Sequence, residues 1–236
     1  MLTLVAKRRR SPSKWKRKDN YYFLNQVITV ISLGDKGSVK VAEEAARLLY
    51  YSVVEDYISA KEAARSSLGM SALPSNFEVA MQLDRLADRV EGELRRELLV
   101  NMRRQALQIM DRLEPFGTRL IGSVWRGTAR RGSDIDITVY AEEPEAVASL
   151  LRKEYGGARA EYVSKTSEGA TERYLHIYPN STEYKVEIVV RSQEEMDERR
   201  ICETYGDCIV GLTKTQLRKL LEKDPAKRFL PRKESG

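Results

Sequence analysis

Apolar side chains recur along the first half of the chain at steps of three and four. Val41, Ala45, Leu48, Leu49, Val53 and Tyr57 keep this spacing after Ser38, which is placed to cap the run, and predict a helix to about Ala64. Ahead of it, residues 20–33 form an apolar stretch of a single helix's length, closed by the turn-forming Gly34-Asp35-Lys36-Gly37. Ser66–Ser75, with Gly69 and Pro74, reads as a loop. From Asn76 the spacing resumes through Val79, Leu83, Leu86, Val90, Leu94, Leu98, Met102, Ile109 and Leu113. A continuous helix of that length would run about 55 Å. Gly92 is where it would bend or split, and Pro115 and Gly117 stop it.

The period then changes from helical to alternating. Thr118–Ser123 and Ser133–Tyr140 read as strands, Pro144–Glu154 as a helix, and 158–164, 172–178 and 183–190 as further strands. Pro179-Asn180-Ser181-Thr182 turns the last two into a hairpin. The tail, 192–228, reads as mostly helical, most clearly over Leu212–Leu221. The pattern predicts an α+β chain in three parts: an arm over 1–19, a helical region over 20–114, and a sheet-bearing region over 115–236 with a helical tail.

Composition sharpens this picture at few points. The chain has 236 residues, 42% of them hydrophobic, enough for a core without disulfide or metal staples. No apolar run approaches the roughly 18 residues of a membrane span. The N-terminus is apolar first and basic second, the reverse of a secretory signal, so the expected location is cytoplasmic. The net charge of +6 is unevenly placed. Lys7, Arg8, Arg9, Arg10, Lys14, Lys16, Arg17 and Lys18 fall within the first 18 residues, with no acid among them. Such a block grips polyanions or serves as a solvated tail, and Trp15 inside it could stack on a base. Cys202 and Cys208 are too few for a four-thiolate zinc site, and the single histidine, His176, excludes a histidine-rich metal cage.

The segment Leu120–Tyr140, LIGSVWRGTARRGSDIDITVY, carries the candidate chemistry. A strand runs into Gly122-Ser123, where glycine lets backbone approach a ligand and the following turn can aim amides at an anion. Arg126, Thr128, Arg130 and Arg131 follow, suited to phosphate oxygens. Then come Ser133, Asp134 and Asp136, the two aspartates alternating with Ile135 and Ile137. On a strand both carboxylates share one face about 7 Å apart. Hard oxygen ligands so placed beside a phosphate-binding turn suit Mg²⁺.

These residues resemble the active-site signature of the polymerase β-like nucleotidyltransferase superfamily: hydrophobic-Gly-Ser, a spacer, then Asp-hydrophobic-Asp-hydrophobic. The texture is similar to the archaeal-type CCA-adding and poly(A) polymerase branch, over roughly residues 116–190 only. The resemblance implies a mixed sheet flanked by helices, an NTP (ATP favoured) held by Gly122, Ser123, Arg126, Thr128 and Ser133, and metal ions held by Asp134, Asp136 and a third carboxylate. Glu187, between Val186 and Ile188, is the candidate third acid, and Glu183 is the alternative. The family's usual residue there is aspartate, so glutamate is a departure.

The implied activity is Mg²⁺-dependent transfer of a nucleoside monophosphate to a hydroxyl, with RNA the favoured acceptor because of Arg8, Arg9, Arg10, Trp15, Lys16 and Arg17. The alternatives are adenylylation of a protein or small molecule, and a catalytically silent nucleic-acid-binding or scaffold protein. His176 reads as structural or substrate-side. The helical region reads as a scaffold, or as a surface for a second copy, a partner protein or RNA. Its arginines, Arg85, Arg89, Arg95, Arg96, Arg103 and Arg104, alternate with acids as on a solvated face.

Overall fold

The computed structural model describes residues 36–167 and 170–231. The arm and the apolar stretch 20–33 lie outside the described residues. Four helices come first: α1 (Lys36–Tyr50), α2 (Tyr57–Leu68), α3 (Asn76–Glu91) and α4 (Glu93–Arg112). Helix α1 buries Val41, Ala42, Ala45, Ala46 and Leu49, a mostly alanine face that α2 and α3 approach closely. The single run expected to Ala64 is broken at residues 51–56. Ser52 there adopts a positive φ of 54°, and the Asp56 side chain accepts from the Ser59 amide at 2.9 Å to start a new helix. Ser75 and Glu78 form a reciprocal capping box at the start of α3. The long helix divides at Gly92, so α3 stays with the first core while α4 enters the second.

A five-stranded mixed sheet follows, ordered β1-β2-β5-β4-β3. Its strands are β1 (Gly117–Ile121), β2 (Ile135–Tyr140), β3 (Ala158–Ser167), β4 (Ala170–Pro179) and β5 (Val186–Arg191). Strands β2 and β5 pair in parallel, and the other neighbours are antiparallel. Alternation divides the sheet's faces. Leu120, Ile135, Ile137, Val139, Leu175, Ile177, Val186, Ile188 and Val190 face a core shared with α4, α6 (Pro144–Glu154) and α7 (Lys214–Lys223). The opposite face carries the polar residues.

Two expectations change here. The strand predicted to reach Ser123 ends at Ile121, and Gly122–Arg126 winds into a short helix, α5, closed by Gly127 at φ 79°. A Cβ on Gly127 would stand 2.9 Å from the Lys227 carbonyl oxygen, so the tail packs directly on this turn. The tail is less helical than expected. After a 3₁₀ turn at Glu194–Asp197, residues 201–208 fold back through an Ile201–Cys208 bridge, and Leu212 exchanges two hydrogen bonds with Leu120 at the free edge of β1. Gly206 and Gly211, both at positive φ, supply the bends that an α-helix excludes.

Arg95 and Arg103 correct the expectation of a solvated face, for both are buried. Arg103 donates to the carbonyls of Val124, Trp125, Pro225 and Lys227, fastening α5 and the tail to α4. Burial brings its pKa down to about 10. Arg95 pairs with Asp84 and Asp88, each at 2.6 Å, and donates to the Thr128 and Ala129 carbonyls. Arg228 closes the cluster on the same two aspartates, at 2.9 and 2.5 Å.

Candidate active site

The parallel register of β2 and β5 sets Asp136 beside Glu187 on the sheet's polar face. Asp134 stands one residue ahead of β2 and is exposed, so it adjoins the pair from the strand's entrance rather than from within the sheet. Glu183, the alternative third acid, lies exposed before β5 begins. Asp136 is half-buried, and among the described residues no basic side chain pairs with it. Burial first, then the charges of Glu187 and Asp134, push its carboxyl from 3.8 up to about 7.

Gly122 faces this group directly. Its φ is 67°, and a Cβ there would collide with the Asp136 carboxylate, meeting Cγ at 2.7 Å. Only a glycine permits the turn and the aspartate to pack so closely.

The residues proposed to hold a nucleotide, Gly122, Ser123, Arg126, Thr128 and Ser133, all line one cleft of about 270 Å³. Its far walls come from elsewhere. Tyr57, Ala80, Leu83 and Asp84 belong to the helical region, and Cys202, Thr204 and Tyr205 to the fold-back segment. Tyr57 is largely enclosed, and burial raises its phenol to about 12.

Arg126 does not reach out to the cleft as a free phosphate ligand. Its guanidinium is buried, paired with both Asp207 oxygens at 3.0 and 2.5 Å and donating to the Phe229 carbonyl. It is also layered on the Trp125 and Tyr205 rings at 4.5 and 4.3 Å. Arg126 thus holds the fold-back segment, and with it Tyr205, against the cleft. Arg130 is turned toward α1, donating to the Leu49 carbonyl at 3.3 Å. The Ser133 hydroxyl accepts from the Arg130 amide at 3.0 Å, closing the linker before the aspartates.

Sequence reasoning missed the partners of Glu187. Tyr178 Oη donates to its Oε1 at 2.7 Å, and His176 Nδ1 meets the same oxygen at 2.9 Å. Both come from β4, and their i, i+2 spacing in a strand antiparallel to β5 was the available signal. Tyr57 and Tyr205 left no such signal, because their place depends on how distant segments fold together.

The donor chemistry fits a hard divalent cation: three carboxylates, one of them half-buried without a positive partner. As the side chains stand they do not yet enclose one, for no three His, Cys, Asp or Glu among the described residues surround a common metal position.

Residues 103–203 match the family model for the nucleotidyltransferase domain. The chain is also similar to solved structures of terminal uridylyl transferase 4 from Trypanosoma brucei. With bound UPU the identity is 14% over 50% of this chain and 38% of that one, at a TM-score of 0.27. With bound dUTP it is 14% over 64% and 47%, at 0.28. A GLD-2/RNP-8 complex is 12% identical over 44% and 40%, at 0.26. The chain spans less than half the length of each of these structures. No protein of curated function matches it.

Proposed function

We propose that this chain, which carries a nucleotidyltransferase domain over residues 103–203, transfers a nucleoside monophosphate from an NTP to a hydroxyl of RNA. One observation carries the reading: Asp136 stands beside Glu187 across the parallel strands and lies against Gly122, which with Ser123 and Thr128 lines the neighbouring cleft.

In this reading Ser123 and Thr128 face the triphosphate, and Tyr57 and Tyr205 offer ring surfaces to the base. ATP is the favoured donor. Asp134, Asp136 and Glu187 would hold the divalent ion, Mg²⁺ being the natural choice for an all-oxygen set. When bound, such an ion neutralises triphosphate charge and lowers the pKa of the acceptor hydroxyl. The acceptor oxygen attacks the α-phosphorus in line, the bond to the bridging oxygen breaks, and pyrophosphate leaves. The acceptor's proton passes to solvent water, since the oxygen of Glu187 not held by Tyr178 and His176 would be a ligand of the ion. RNA is favoured by the eight basic side chains of residues 1–18, sequence features outside the described structure.

The test is incubation of the full chain with each α-labelled NTP, Mg²⁺ and total RNA. Label should enter RNA, and Asp136→Asn should reduce it at least about a hundredfold. Label entering protein instead would move the acceptor to a polypeptide. No labelling of any acceptor would leave a silent binding protein.

A further inference from the structure

We infer that Tyr178 and His176 are positioning residues that make a glutamate serve as the third carboxylate of this site. The inference rests on the metal-binding reading above.

Glutamate has one more rotatable bond than aspartate, so its carboxylate sweeps a larger volume and is poorly placed for a fixed ligand role unless something holds it. Here the hold is visible. Tyr178 Oη and His176 Nδ1 converge on Oε1 at 2.7 and 2.9 Å. Among the described residues, every hydrogen bond of this carboxylate falls on that one oxygen. Oε2 is therefore the oxygen left to meet a cation shared with Asp136. For His176 to hold Oε1 in this way its Nδ1 must carry the proton.

The two holders are themselves held. Leu175, His176 and Ile177 pair with Val190, Val189 and Ile188, which brings Tyr178 level with Glu187 on the same face. On the other side of β4, Arg159 pairs with Tyr178 and Glu161 with His176. The Arg159 guanidinium lies 4.0 Å from the centre of the Tyr178 ring and fixes its plane. Phenol, imidazole and carboxylate thus form a chain of contacts running from the outer strand of the sheet to the acid pair. A hydrogen-bond partner of a metal-ligating carboxylate sets its orientation, and its loss weakens metal binding by about ten- to a hundredfold.

The same contacts could act in the opposite sense, restraining Glu187 away from the ion. The sign of one measurement separates the two. Mn²⁺ affinity of the full chain, read by electron paramagnetic resonance, is compared for the unaltered protein, Tyr178→Phe, His176→Asn and Asp136→Asn. Tyr178→Phe and His176→Asn should each weaken Mn²⁺ binding about tenfold and raise the Mg²⁺ concentration needed for half-maximal labelling. The KM for NTP should stay put, because neither residue lines the nucleotide cleft. In a Glu187→Asp background the shorter chain no longer reaches Tyr178, so Tyr178→Phe should have no further effect. Using two separate variants leaves the test standing if one of them fails to fold. Unchanged or tighter Mn²⁺ binding in the single variants, with binding abolished in Asp136→Asn, would overturn the positioning role and leave the metal reading intact. Unchanged binding in Asp136→Asn would remove the metal reading and this inference with it.

Discussion

Two effects act on Asp136 in the same direction. Packing against Gly122 half-buries it, while Glu187 and Asp134 add like charge, so its carboxyl rises from 3.8 to about 7. Between those values the folded chain binds more protons than the unfolded one. This group's ionisation therefore costs stability progressively as pH climbs from about 4 to about 7, and the cost is fully present above that. Asp136→Asn should be more stable than the unaltered chain at pH 8, by on the order of 2 kcal/mol, and equal to it at pH 4. Urea denaturation at the two pH values checks this. Gly122→Ala should fail in the other direction. It combines a strained positive φ with a collision against Asp136, costing roughly 1–3 kcal/mol and abolishing NTP labelling. At this scale the sequence was readable where chemistry is local: Gly122, Ser123, Asp134 and Asp136 fall within fifteen positions of one another. The His176–Glu187–Tyr178 contacts left only the i, i+2 spacing of His176 and Tyr178 as a signal, because the β4–β5 register decides which residue they meet.

At the scale of elements, charge patterning misled. Arg95 and Arg103 sit among acids on α4 and look like surface residues, yet both are buried and carry the joints between elements. A guanidinium presents several donors in a fixed plane, so one arginine can satisfy carbonyls from two strands of backbone at once. Arg103 does this for α5 and the tail together. Arg103→Ala should strand those carbonyls and destabilise the fold by roughly 3 kcal/mol or more. Arg103→Lys should recover only part of this, since an ammonium lacks the fork. Denaturant midpoints followed by circular dichroism measure both. Helix and strand identities over 36–191 were largely legible because apolar spacing is a local property. The breaks at 51–56 and after Ile121 were not, because they come from Asp56 capping and from the backbone freedom of Gly122.

At the scale of the molecule, two apolar cores meet at the cleft. One is built on α1–α3, the other on the sheet with α4, α6 and α7. Around their junction run the Arg95–Asp84–Arg228 cluster, the Asn76 contact to the Glu203 carbonyl, and the edge-on Phe77–Tyr205 ring pair. The helical region therefore supplies one wall of the cleft as well as packing. Tyr57→Ala should weaken ATP binding about tenfold, from the roughly 1–3 kcal/mol that stacking of a base contributes. Isothermal calorimetry would read it, and an unchanged affinity would place the base elsewhere.

That seam has a consequence for how the protein responds to its ligand. Tyr57, Ser123 and Tyr205 come from three remote parts of the chain and meet only across the cleft. An occupant touching all three acts as mortar between bricks. Filling the cleft should then slow proteolytic nicking of the 201–208 fold-back, turning a local binding event into resistance to digestion at a distance from the reacting atoms.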